Sequence, residues 1–426
     1  MKQVDILIIG GGSAGMAAAS AAYEQGARSI LILERSDRLG GILCQCIHSG
    51  FGLHRYGEEL TGPEYAKRNV KVMEEYEIPY MLNTFVLDLS ADRVITAVNP
   101  QEGLFHIQAK AVVLAMGCRE RSRGALMIPG TRPAGVITAG TAQRYLNLEG
   151  YLPGKHVVIL GSGDIGLIMA RQFVMEGIEV KEVVELMPFS GGLTRNISQC
   201  LNDFNIPLRL SSTVVEIRGR SRVSSVVVAK VDEHRKPIPG TEREVPCDTL
   251  VISAGLIPEN ELSREAGIRM SPSTKGAVVD DLLQTSVPGI FACGNVLHVH
   301  DMVDFVSAEG ELAGRSAAWF AAGSVAPSDF SADIPVLEGD GVGGLTPQYV
   351  SRAPRDGMVK LMFRPRRIYK NAVALAEADG KCVGKKQAMV LAPGEMCEME
   401  LPHDTVRDAK ALRVRIEERQ TVGGRG

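Results

Sequence analysis

Aromatic residues are scarce in this chain, 5% of 426 residues with a single Trp, and neither charge sign prevails, since 47 Lys and Arg face 50 Asp and Glu for a formal net charge of −3. So even a balance creates no strong field toward nucleic acid or anionic lipid, and no nucleic-acid partner is expected. Long apolar runs are missing too: none approaches the roughly 18 residues of a membrane span, and none is expected to cross a bilayer. Met1 leads within three residues into Val4-Asp5-Ile6-Leu7-Ile8-Ile9. That leaves no basic stretch, leader-length apolar core or cleavage site, and the expected location is cytoplasmic. The eight cysteines (44, 46, 118, 200, 247, 293, 382 and 397) are scattered, with no CxxC. Zinc ribbons, cysteine-ligated clusters and a disulfide framework are disfavoured, and no metal is expected.

What the chain has in quantity is glycine, 46 residues, well above the average share of about 7%. Two stretches concentrate it in the same setting. Residues 4–9 form an apolar run rich in β-branched residues, 10–15 a glycine turn, 16–25 an alanine-rich helix stopped by Gly26, and 29–33 a second strand ending on Glu34. Strand 156–160, turn 161–166, helix 167–176 and strand 180–184 ending on Glu185 repeat the pattern 151 positions later. Between the copies, 62–76 reads as a helix with Pro63 in its first turn, and 84–89, 93–98 and 105–114 read as strands. Strands are expected again at 208–210, 213–218, 223–231 and 249–253, a helix at 308–322, and a linker at 323–340. The tail from 344 to 418 reads as short strands separated by turn residues.

Gly10-Gly11-Gly12-Ser13-Ala14-Gly15 fits GxGxxG between a strand and a helix. Gly10 permits the turn, Gly12 lets a pyrophosphate approach the backbone, Gly15 lets helix and strand pack closely, and the helix start offers its N–H groups, Ser13 and Ala14 included, to the phosphate. Glu34 stands 24 positions after Gly10, where a carboxylate can accept bonds from ribose hydroxyls. The second copy, Gly161-Ser162-Gly163-Asp164-Ile165-Gly166, has Glu185 at the same offset. A ribose 2′-phosphate would meet that carboxylate unfavourably, and Leu186, Met187 and Pro188 supply no arginine, so NAD is favoured over NADP. Two such sites imply two different dinucleotides between which a hydride passes, and FAD with NAD is the economical pair.

The chain resembles the flavoproteins of the pyridine nucleotide-disulfide oxidoreductase superfamily. Within it, the chain is similar to the FAD/NAD-dependent oxidoreductases that accompany anaerobic glycerol-3-phosphate dehydrogenase, and to flavoprotein subunits of dye-linked amino-acid and opine dehydrogenases. Val112-Val113-Leu114-Ala115-Met116-Gly117 is similar to the segment that returns the chain to the FAD domain, Leu250 to Gly255 with Ile257-Pro258 to the exit from the NAD domain, and Thr285 to Asn295 to the late flavin motif. That motif usually ends Gly-Asp, and Asn295 replaces the acid with an uncharged hydrogen-bonding group. The resemblance implies an α/β chain of two Rossmann-like, glutathione reductase-like domains, an FAD-binding domain over 1–125 and 256–325 and an NAD-binding domain over 150–255, with a C-terminal all-β appendage at 344–418. Implied FAD contacts are Gly10, Gly12, Ser13, Ala14, Gly15, Glu34, Arg35, Gly41, Gly117 and Asn295; implied NAD contacts are Gly161, Gly163, Asp164, Ile165, Gly166, Glu185 and Gly255. A helix near Ser307 would aim its positive end at the flavin.

Cys44 and Cys46 lie where related reductases carry two redox cysteines with four residues between them, and here they are i, i+2. An extended chain would hold their Cα atoms at the upper edge for a relaxed disulfide, so a dithiol cycle is not expected. Cys46 and His48 are the candidate catalytic side chains: a flavin-side thiol and an imidazole able to move a proton. His54 sits in the same loop, and His298-Val299-His300 is expected to form a polar wall. The expected reaction is hydride transfer between nicotinamide and FAD, with electrons passing to or from an external acceptor, a partner redox protein or a dehydrogenase subunit, in a homo- or hetero-oligomer. The alternatives are a flavoprotein subunit of an amine, amino-acid or opine dehydrogenase, and a non-catalytic electron-transfer subunit.

Overall fold

A computed structural model of the protein describes residues 1–353 and 357–419. The expected 344–418 tail therefore includes three residues, 354–356, outside the described set. The chain divides into two units, one of residues 1–44, 49–118 and 258–426, the other of residues 45–48 and 119–257.

The first unit is built on a seven-stranded sheet in which Lys2–Ile9 lies between Ile30–Leu33 and Gly103–Leu114, both parallel to it. Ile6, Leu7 and Ile8 are fully buried. A strand covered on both faces has no reason to alternate polar with apolar residues. Ile290–Ala292 joins the same sheet parallel to Gly103–Leu114, so Gly294 follows at the same end of the sheet as the first glycine turn. Ser13–Glu24 packs against the long helix Val303–Ala321 through small residues. A Cβ on Gly310 would stand 2.3 Å from Ala14 O, and one on Gly314 would stand 2.0 Å from Ala18 O, so glycine alone permits this approach. The long helix begins at Val303, a turn earlier than the expected 308, with Asp304 in its first turn. Helix Gly62–Glu75 starts at a capping box in which Thr61 and Glu64 satisfy each other's backbone N–H groups.

The β-rich part of this unit begins at Ile334, inside the stretch read as a linker. Ile334–Glu338 runs parallel to Leu412–Glu418 in a five-stranded sheet, and a three-stranded sheet of Val342–Thr346, Met358–Pro365 and Cys397–Pro402 shares its core. This part is fastened to the rest of its unit. Val279 N–H donates to Gln348 Oε1 (2.9 Å) and Ser351 N–H to Asp281 Oδ1 (2.9 Å), while just ahead of the β-rich part the Ser328 hydroxyl donates to Asp280. Burial, and then the neighbouring Asp281, push the Asp280 carboxyl up to about 7. Its folded pKa lies above the unfolded value of about 3.9, so the folded state keeps a proton that the unfolded state loses, and stability falls as pH rises from about 4 to 7. Asp280→Asn keeps the acceptor for the Leu282 and Gln284 N–H groups. It should flatten that pH dependence and raise the melting midpoint at pH 8 by a few degrees; a midpoint that follows pH as the parent does would refute this.

The second unit carries a five-stranded parallel sheet with Thr249–Ile252 and Glu179–Val184 on either side of His156–Leu160. Helix Asp164–Met175 packs on it through Leu167, Met169, Ala170 and Phe173, all fully buried. An antiparallel meander, Ser212–Gly219, Val223–Lys230 and Arg243–Pro246, completes the unit. No helix among the described residues is long and apolar enough to cross a membrane.

Candidate functional site: two glycine cradles with acid anchors

The two glycine turns have matching geometry. Gly10 and Gly161 take φ of +109° and +107°, and a Cβ on either would stand 2.4 Å from Ala115 O or 2.1 Å from Ser253 O. Gly15 and Gly166 would place a Cβ 1.9 Å and 2.6 Å from the carbonyls of Gly10 and Gly161, respectively. These four glycines let strand, turn and helix pack. Gly12 and Gly163 differ in kind: each is the N-cap of its helix with ordinary extended backbone (φ −79° and −68°), and a Cβ on either meets nothing within 4 Å. Neither the backbone nor its neighbours demand glycine there. The space beside them, at a helix start whose first N–H groups lack intrahelical partners, suits a diphosphate. At the first turn Ser13 Oγ is buried without a hydrogen-bond partner. Both cradles therefore fit the diphosphate of a dinucleotide.

The acids at the ends of the second strands anchor the glycine turns. Glu34 Oε2 accepts the Gly11 N–H at 2.7 Å and Oε1 the Ser36 N–H at 2.8 Å. Glu185 Oε2 accepts the Ser162 N–H (2.8 Å) and hydroxyl (2.6 Å), while Oε1 takes the Met187 N–H (2.8 Å). Each carboxylate pins its own glycine turn and keeps further lone pairs for a hydroxyl donor. Both are buried, and Arg35 beside Glu34 is exposed. Gly41 approaches the first cradle: its Cβ would lie 3.1 Å from Gly12 Cα. Gly117 and Gly255, at the ends of matching strands, both have positive φ and open space around the Cβ position.

Asp164, in the first turn of the second helix, also ties down a neighbouring loop. Its Oδ1 accepts the Leu193 N–H at 2.8 Å and the Asn196 side-chain amide at 2.6 Å, and Ser190 Oγ donates to Ser162 O at 2.9 Å. Residues 190–196 are thus folded onto the second glycine turn. Ile165 follows in the first turn of that helix, partly buried.

Residues 41–45 form a short 3₁₀ helix, so the extended geometry expected for Cys44 and Cys46 does not apply. None of the eight cysteines is in a disulfide. Cys44 Sγ donates to Leu39 O (3.4 Å), and burial pushes its thiol up, away from thiolate character. Cys46 Sγ lies 3.6 Å from Gln143 Oε1. Cys46 and His48 belong to the short segment counted with the second unit. His54 stacks at a tilt on Phe305, with ring centroids 5.7 Å apart.

The motif at 294–309 holds a network that sequence reasoning missed. Gly294 N–H donates to Glu309, whose two oxygens lie 2.7 Å from His298 Nε2 and 3.0 Å from His300 Nε2. All three side chains are buried. Burial alone would raise the Glu309 pKa, but the two imidazoles outweigh it and hold the acid well below the usual carboxylate range. Burial keeps His298 below its ordinary value despite the carboxylate. With Glu309 ionised, each imidazole donates its Nε2–H, leaving both Nδ1 atoms buried without a partner. The three ligating atoms lie within 4.8 Å of one another, a set a divalent cation could also use. Asn295 Oδ1 accepts the His300 N–H (3.0 Å), and its amide faces Cys118 Sγ (3.6 Å). Glu309 stands 11 and 9 positions after His298 and His300, too far along the chain for local spacing to link them.

The chain belongs to the family Pyridine nucleotide-disulphide oxidoreductase, which it matches over residues 4–318. FAD and NAD(P)H are the coenzymes of that family. Among curated proteins it is 28% identical to hydrogen cyanide synthase subunit HcnB of Pseudomonas protegens, over 68% of this chain and 65% of that one. It is 27% identical to an opine oxidase subunit of Agrobacterium tumefaciens, over 68% of this chain and 61% of that one. The chain thus spans less than two thirds of the length of both. Among solved structures, the thioredoxin reductase of T. acidophilum shares the fold, with a TM-score of 0.61 and 24% identity over 75% of this chain and 98% of that one.

Proposed function

We propose that the protein moves a hydride between NADH and FAD and exchanges the electrons with an external acceptor or a partner redox protein. The observation that carries this reading is the paired open cradle at Gly12 and Gly163, each backed by a buried acid on its own glycine turn. Bound FAD supplies the two-electron centre and NADH the hydride. The chain's residues bind and orient: helix starts meet the diphosphates, and Glu34 and Glu185 fix the turns and offer lone pairs to ribose hydroxyls. Glu185 disfavours a 2′-phosphate, which supports NADH over NADPH. The test is NADH oxidation by the purified yellow protein with ferricyanide as acceptor; no turnover, with flavin bound, refutes the reading.

No protein nucleophile is required for this chemistry, so Cys46→Ser should reduce its flavin within about twofold of the parent rate in stopped flow, a tenfold loss being about 1.4 kcal/mol of barrier. A larger loss returns the thiol, and His48 beside it, to the reaction. A second reading, a flavoprotein subunit of an amine, amino-acid or opine dehydrogenase, is favoured by the likeness to one chain of an opine oxidase. It predicts flavin reduction by such a substrate and none by NADH. Either reading suits a cytoplasmic protein that works in a homo- or hetero-oligomer.

A further inference from the structure

The turn after the late flavin motif is held from two sides. From within its own segment, Glu309 takes the Gly294 N–H and both imidazoles, and Asn295 takes the His300 N–H. From the β-rich part, Arg364 on strand Met358–Pro365 reaches across: Nη2 donates to Val299 O at 3.1 Å and to the Asp301 carboxylate, and Nη1 donates to Pro393 O at 3.1 Å. Met396 N–H donates to the other Asp301 oxygen at 2.7 Å. Both Asp301 oxygens are therefore engaged by the β-rich part, and one planar guanidinium bridges that part's 393 turn to the 299–301 turn. Lysine, a single point of charge, could not span three acceptors in this way. The ion pair is mostly buried, with side-chain exposures of 27% and 20%, so salt screens it less than a surface pair.

We propose that Arg364 is a positioning residue for FAD: through Asp301 and Val299 it fixes the turn between Asn295 and the helix at Val303, and the β-rich part thereby serves as a clamp on the coenzyme site. This rests on the reading that the Gly294-Asn295 turn faces bound FAD. The clamp is preformed, so the turn pays no ordering cost when the coenzyme arrives.

Arg352 provides the matched control, because it bonds two carbonyls inside the β-rich part, Arg407 (3.1 Å) and Ala409 (2.9 Å), and one just ahead of it, Ala332 (2.7 Å), and none at residues 299–301. The experiment measures the dissociation constant of FAD from the full-length protein by flavin fluorescence, alongside the melting midpoint of the apoprotein. Arg364→Ala is expected to weaken FAD binding about tenfold while lowering the midpoint no more than Arg352→Ala does. Arg352→Ala should leave FAD binding unchanged. Asp301→Asn should weaken FAD binding too, and the double variant Arg364→Ala with Asp301→Asn should be no worse than the poorer single one, since the two side chains act as one contact. Binding by Arg364→Ala within twofold of the parent, or equal loss in Arg352→Ala, overturns the clamp. A parent protein that takes up no FAD instead overturns the proposed function.

Discussion

Gly12→Val yields a folded protein without colour. The backbone at 12 is extended and tolerates any residue, and a Cβ there meets nothing within 4 Å, so the substitution leaves the fold intact. The two added methyls occupy the space where a diphosphate must approach the helix start. Flavin content should fall from about one per chain to below about a tenth, more than the 1.4 kcal/mol that a tenfold change represents. The apoprotein should melt within a few degrees of the parent. Gly15→Val is the contrast, because its Cβ would stand 1.9 Å from Gly10 O and the turn itself must break. A yellow Gly12→Val protein with full flavin content would remove FAD from the first cradle.

Gly163→Val should behave as the mirror image, yellow and unresponsive to NADH. Its backbone is equally permissive and its Cβ equally unopposed. FAD content should match the parent, while the rate of flavin reduction by NADH should fall at least a hundredfold, about 2.7 kcal/mol in transition-state terms. Rapid mixing of NADH with each protein under nitrogen, followed at the visible flavin band, reads this directly. Parent-like reduction would mean that the nicotinamide coenzyme does not use the second cradle. The pair of variants separates the two coenzymes without touching a titratable group.

The parts of this architecture that were legible in the sequence are those written locally. Strand, glycine turn, helix and terminal acid fall within one continuous stretch, 4–34 in the first copy and 156–185 in the second, and Gly15 and Gly166 answer a steric demand of that same short unit. Contacts between distant segments left weaker traces. Ile334–Glu338 read as linker because Pro335 and small residues surround it, and its parallel partner at Leu412–Glu418 is more than 70 residues away. Gly310 and Gly314 lower helix propensity, and only the neighbouring Ala14 and Ala18 backbone explains them. Glu34 and Glu185 were found for the ribose, whereas their bonds to Gly11 and Ser162 depend on how the turn curls back over the strand end. The Glu309 network joins residues 9 to 15 positions apart across a turn and a helix start, with no local motif to mark it.

We propose that one chain holds FAD and NADH in two separate cradles and passes a hydride between them. Anaerobic titration of the purified yellow protein with NADH, read by flavin absorbance, tests it most directly. The account predicts complete bleaching at one NADH per bound flavin, with NADPH acting far more slowly. A flavin band that persists under excess NADH would contradict it.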